Sequence, residues 1–195
     1  MKSINDYDYS NKTVLLRIDI NSPIDPLTKK IVSDNRIRKS IPTIRTLLDK
    51  GAKLVMIAHQ GDTLDYSNLI SLHEHAEKLS QYLGSTVSYI DDPCGPAAQQ
   101  KIKTLRAGEG ILLGNLRYLT EEISTFENAV KLEPKDMKDT YLVRSLLPLC
   151  DFYVNDAFAA AHRNAPSMVA FQQLLPTAAG LLMQKEVEAL DNIME

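Results

Sequence analysis

Cross-linking cysteines, nucleotide loops, nucleophile elbows and membrane-length apolar runs are all missing from these 195 residues. Cys94 and Cys150 stand far apart and neither belongs to a CxxC pair. That excludes a disulfide framework and a clustered thiol site, and it predicts reduced, partly buried thiols in an intracellular protein. The N-terminus is polar, with Asp6, Asp8 and Lys12, and has no apolar signal core. No run approaches the length of a bilayer span, so a soluble, cytoplasmic chain is expected, with no membrane partner. The net charge is −3, which gives nucleic acid or an anionic surface no general attraction, and no nucleic-acid partner is expected. No GxxxxGK[ST] or GxGxxG follows the first apolar run, so no nucleotide loop is recognisable. No GxSxG turn and no convincing Cys–His pair supplies a covalent nucleophile. His73 and His75 are spaced i,i+2, which places them on different helix faces. Asp91-Asp92 precedes Pro93 in a turn, where it caps or is solvated. No metal site is therefore expected, and neither repeats nor low-complexity segments occur.

What the chain does contain is a regular alternation. Its 44% hydrophobic and 24% charged residues are those of a globular protein, and the length suits one α/β domain with a full core. Thr13 to Ile18, Lys53 to Ala58, Ile111 to Leu113 and Phe152 to Val154 are apolar runs without alternation, the pattern of strands buried on both faces. Thr86 to Ile90 reads as a more exposed strand, and Ser167 to Phe171 as a sixth. Between them lie helical patterns. Ile37, Ile41, Ile44 and Leu47 are followed by Gly51, with Pro42 placing the regular helix start near itself. Leu72, Ala76, Leu79 and Leu83 follow a Ser71–Glu74 capping box and close at Gly84. Gly95-Pro96 opens a third helix, Thr120 to Lys138 reads as a polar excursion, and Thr140 to Leu149 is helical. A last helix runs from about Thr177 to Glu195. The sum is a three-layer, Rossmann-like parallel sheet of about six strands with helices on both faces.

Strand ends in such a sheet open onto one crevice. Here they carry Asp19 and Asn21, His59, Asn115 and Arg117, and then Val154-Asn155-Asp156 running into His162-Arg163, with Arg36 and Arg38 at the start of the first long helix. Arginines grip phosphate and carboxylate by paired, charge-assisted bonds, while Asp19 and Asn21 can hold hydroxyls or orient the arginines. The ligand implied is small, strongly anionic and hydroxylated, such as a phosphorylated sugar acid. Arg17 and Arg38 have a plain alternative as solvated surface charges. Asn155 and Asp156 are expected to set the turn, Arg163 to face the ligand, and His162 to support the site.

The ordered stretches Leu16-Arg17-Ile18-Asp19-Ile20-Asn21-Ser22-Pro23, Arg36-Ile37-Arg38, Gly51-Ala52-Lys53, Ala58-His59-Gln60-Gly61, Asn115-Leu116-Arg117-Tyr118, Val154 to Arg163, and Pro176-Thr177-Ala178-Ala179-Gly180 with Met183 and Lys185-Glu186 resemble the N-terminal half of the phosphoglycerate kinase family. The wording is most like its archaeal branch. The resemblance implies a monomeric two-domain transferase of glycolysis and gluconeogenesis, passing a phosphoryl group between 1,3-bisphosphoglycerate and ADP to give 3-phosphoglycerate and ATP. Residues 1–180 would be the substrate-binding domain and 181–195 the start of the interdomain helix. ATP or ADP with Mg²⁺ would be held by a C-terminal nucleotide domain outside this chain, so the chain itself would need no cofactor and would be inactive alone. By the same resemblance Arg36 is the catalytic arginine, and Asp19, Asn21, Arg36, His59, Arg117 and Arg163 bind substrate. Three positions depart from the family pattern. Asp62, followed by Thr63, replaces an arginine turn, Gly114 replaces a glutamate, and Ala159 replaces a glycine. The first two leave a second reading open, a diverged non-catalytic homologue that binds an anionic metabolite.

Overall fold

Apolar runs with side chains on two sides of one sheet account for the architecture. In a computed structural model that describes residues 1–62 and 67–194, six strands form one all-parallel sheet in the order β3-β4-β2-β1-β5-β6. They are β1 (Thr13–Arg17), β2 (Lys53–Ile57), β3 (Val87–Tyr89), β4 (Gly110–Leu112), β5 (Phe152–Asn155) and β6 (Thr177–Ala179). Successive residues of the inner strands point to opposite cores. Val14, Leu16, Leu54, Met56 and Val154 join one hydrophobic cluster, and Leu15, Val55, Ile57 and Tyr153 the other. Helices α1 (Asn35–Asp49) and α2 (His73–Leu83) fill the first cluster with Ile37, Ile44, Leu47, Ala76, Leu79 and Leu83. Helices α3 (Pro96–Lys103) and α5 (Tyr141–Leu146) fill the second with Ala98, Ile102, Leu142, Val143 and Leu146. The three-layer expectation holds.

Four local expectations are corrected. Helix α1 begins at Asn35 and contains Pro42 rather than starting there. The amide that proline lacks would have met the Arg38 carbonyl, and Arg38 is a solvent-facing residue, so water can take that acceptor while the apolar face stays packed. The Ser71–Glu74 capping box does not form. Leu72 occupies the cap position, and the Glu74 carboxylate instead accepts the Ile31 amide at 3.0 Å. Ser167 to Phe171 is not a strand. It is split between the one-turn helix α6 (Pro166–Val169) and a 3-10 turn, Phe171–Gln173. Pro166 starts α6, and Met168 and Phe171 are buried at helical spacing. The sixth strand is Thr177–Ala179, three short residues made a strand by pairing with Tyr153, Val154 and Asn155. The final helix, α7, is accordingly Leu181–Met194. Thr63 and Glu195 lie outside the described residues.

From β1 the chain moves to β2 on one side, while from β5 it moves to β6 on the other. The divergence between β1 and β5 is the topological switch point, where crevices form at strand carboxyl ends. The polar excursion 120–138 lies in the long connection from β4 to β5 and contains the seven-residue helix α4 (Ser124–Val130).

Candidate anion-binding site

β1 ends by turning Arg17 inward. Its side chain is 1% exposed and donates from Nε to Ser167 Oγ (3.1 Å) and from Nη1 to the Ile18 carbonyl (2.6 Å). Arg17 Nη2 lies 2.8 Å from His59 Nδ1. A guanidinium can only donate, so Nδ1 accepts and the imidazole carries its proton on Nε2. Burial first, and then the charges of Arg17, Arg117, Arg163 and Arg36, push the His59 pKa well below its ordinary value. His59 is therefore a neutral donor set among four guanidiniums. Solvation of Arg17 is overturned, because the sheet buries its side chain completely. Arg38 is solvent-facing and pairs at 3.2 Å with Asp34, the N-cap residue of its helix.

The remaining predicted residues reach the same rim, each already engaged. Arg36 Nη1 donates to both Asp19 oxygens at 3.2 Å, with Asp19 buried and Arg36 half exposed. Asn21 Oδ1 accepts the Gly61 amide at 3.1 Å. Arg117 donates from Nε to the Gly61 carbonyl (3.0 Å) and from Nη1 to the Glu122 carbonyl (2.7 Å), and its Nη2 stands 3.7 Å from Asp62. Burial, more than the nearby Arg163 charge, brings its pKa down to about 10, so it stays cationic at neutral pH. Arg163 donates to Glu127 Oε2 from Nε (3.2 Å) and Nη2 (2.9 Å), and Nη2 also meets the Glu122 carbonyl at 3.1 Å. A cavity of about 450 Å³ opens between Asn21, Arg36, Gly61, Asp62, Asn68 and Arg117. A smaller one of about 180 Å³ lies between Asp19, Arg36, Phe158 and Leu182 of α7. Arg36 lines both. His59 and Arg163 lie outside the lining of either.

Asn155 sets its turn as expected, accepting the Ala157 amide at 3.0 Å. Asp156 does something more distant: its Oδ1 accepts the Met183 amide of α7 at 3.1 Å. His162 is solvent-exposed rather than a support for the site. Gly114 has a packing reason. A Cβ there would stand 2.7 Å from the Asp92 backbone nitrogen, so a side chain requires the 91–92 turn to move. Asp92 in turn accepts the Gly95 and Ala98 amides at the start of α3, at 2.7 and 3.0 Å.

Two residues that hold the site together escape a sequence reading. Gln60 is fully buried. Its Nε2 donates to the carbonyls of Ser22 and Asn68, and its Oε1 accepts the Ser22 amide and faces His75 Nε2 at 2.9 Å. Glu122, 2% exposed, offers its carbonyl to two arginines and its Oε1 to the Ser167 amide. Nothing in Glu121-Glu122 marks the second glutamate as buried, since only its place in the long β4–β5 connection makes it so.

The carboxyl-edge crevice of a parallel α/β sheet thus gathers four guanidiniums and a neutral imidazole around its switch point. The sequence profile described as phosphoglycerate kinase matches residues 4–195, and the chain belongs to that family. It is 48% identical over 190 residues to a phosphoglycerate kinase of Sulfurisphaera tokodaii, covering 97% of this chain and 44% of the relative. It is 42% identical to that of Methanothermus fervidus, covering 99% and 45%. The crystal structure of phosphoglycerate kinase from Pyrococcus horikoshii superposes with a TM-score of 0.90 at 42% identity, covering 97% of this chain and 45% of that one. The chain thus spans less than half the length of the relatives it matches.

Proposed function

We propose that this chain is the glycerate-binding half of a phosphoglycerate kinase of glycolysis and gluconeogenesis. It takes 3-phosphoglycerate or 1,3-bisphosphoglycerate at the carboxyl rim of its sheet. The observation that carries this reading is the convergence of Arg36, Arg117 and Arg163 with neutral His59 around the β1–β5 switch point. Asn21 and Arg117 line the larger cavity and offer hydrogen bonds to hydroxyl and anionic oxygens. The His59 Nε2–H is a further donor. Arg36 is half exposed and borders both cavities, so it can follow a phosphoryl group entering from the far side and neutralise its charge. Phosphoryl transfer relies on positioning and charge neutralisation more than on covalent catalysis, which suits a site of arginines with no side-chain nucleophile.

ATP or ADP with Mg²⁺ would meet this site from a second domain. Among the described residues no group of three or more His, Cys, Asp or Glu side chains could hold a metal ion. Calorimetric titration with 3-phosphoglycerate tests the reading. Saturable heat is expected, and none at millimolar ligand overturns it. The isolated chain should form no ATP from 1,3-bisphosphoglycerate and ADP.

A further inference from the structure

We propose that Asp62 and Glu127 determine the affinity and selectivity of this site: the Glu127 carboxylate occupies the anion position of Arg163, the Asp62 carboxylate stands beside Arg117, and an anionic ligand competes with both. The inference rests on the anion-binding reading above and deepens it.

Glu127 is held as a ligand would be held. Its Oε2 accepts two guanidinium N–H groups of Arg163, at 3.2 and 2.9 Å, and its Oε1 accepts the Asn164 amide at 2.6 Å. Three donors converging on one carboxylate form a cradle for a carboxylate or phosphate. Asp62 sits in the wall of the larger cavity, 3.7 Å from Arg117 Nη2, with its Oδ2 accepting the Ser124 hydroxyl at 2.8 Å. That separation is longer than a direct hydrogen bond, so a ligand oxygen can approach Arg117 more closely than Asp62 does.

Both carboxylates tie to the same element. Ser124 and Glu127 belong to α4, which has no buried residue. Polar contacts tie this helix to the site, and with no buried residue its displacement exposes little apolar surface. Charge supports the same conclusion. Arg36, Arg117 and Arg163 stand against Asp19, Asp62 and Glu127, so the rim arginines are compensated rather than openly cationic. A multiply charged ligand adds negative charge to a balanced cluster unless Asp62 and Glu127 withdraw.

The test uses the 195-residue chain, with Asp62→Asn and Glu127→Gln, which keep side-chain shape and remove one charge each. Glu109→Gln, an exposed change on the opposite edge of the sheet, controls for net charge. Each form is titrated with 3-phosphoglycerate and, separately, with inorganic phosphate. Asp62→Asn and Glu127→Gln should each tighten 3-phosphoglycerate binding by about tenfold at low ionic strength, and less in high salt. Glu109→Gln should leave it unchanged. In the unsubstituted chain, ligand should speed amide exchange across Ser124–Val130 as α4 lets go. If that chain binds 3-phosphoglycerate and the two variants bind it equally or more weakly, the inference is overturned and the glycerate reading stands. If the variants gain affinity for phosphate but no form binds 3-phosphoglycerate, the inference stands and the glycerate reading fails. No heat with either ligand from any form overturns both.

Discussion

Asp156 carries an electrostatic load that can be measured. Its side chain is 1% exposed at the point where β5 and β6 meet the first turn of α7. Oδ1 accepts the Met183 amide, while Oδ2 is buried without a hydrogen-bond partner. Burial drives its pKa up from 3.8 to about 6, against the opposing pull of the Thr43 hydroxyl and the Met183 and Leu182 amides. Between those two values the folded state binds a proton that the unfolded state has released, so this group's contribution to stability falls as pH rises through the window. A shift of about two units corresponds to about 3 kcal/mol of destabilisation at neutral pH. His75, buried and lowered to about 4, acts with the opposite sign over an overlapping range, and so does His59. The pH profile of the unsubstituted chain therefore mixes these effects, whereas its difference from Asp156→Asn isolates one. Asparagine keeps the oxygen that meets α7 and cannot ionise. Urea denaturation followed by circular dichroism should give similar stabilities at about pH 3.5, with the variant more stable by about 3 kcal/mol at about pH 7.5. A difference that is flat across that range, or that favours aspartate as pH rises, refutes the reasoning.

Two other predictions concern single contacts. Gly114→Ala should destabilise the chain by about 1–3 kcal/mol, because its Cβ collides with the 91–92 backbone. An unchanged thermal midpoint would show that this turn yields freely. In nitrogen-detected NMR at neutral pH, His59 should be the neutral Nε2–H tautomer, and in Arg17→Met its pKa should rise toward the ordinary value, with a stability loss of about 3–5 kcal/mol from the broken buried network. A protonated His59 in the unsubstituted chain at that pH would contradict the proposed network.

The sheet was legible because its inner strands are buried on both sides, and that burial leaves uninterrupted apolar runs such as Val14-Leu15-Leu16 and Leu54-Val55-Met56-Ile57. Thr177–Ala179 was not legible, because three small residues carry no pattern until β5 supplies their partners. The capping pair at Ser71 and Glu74 misled for a related reason. A local motif is only an offer of hydrogen bonds, and a distant donor, the Ile31 amide, claimed Glu74 first.

The positions of Asp19, Asn21, Arg36, His59, Arg117 and Arg163 could be inferred from sequence, because residues just beyond the carboxyl ends of parallel strands share one edge. By itself the sequence determined the fold class, the rim and the positive groups on it. The tertiary structure alone decided how those groups are neutralised. Glu122 and Glu127 lie in a polar excursion that looks solvated when read along the chain, and the Asp62 partners Arg117 and Ser124 are 55 and 62 positions away. Hydrophobic periodicity is a local property of a strand or helix and survives in one dimension. Charge pairing across a crevice depends on distances that exist only after the chain has folded.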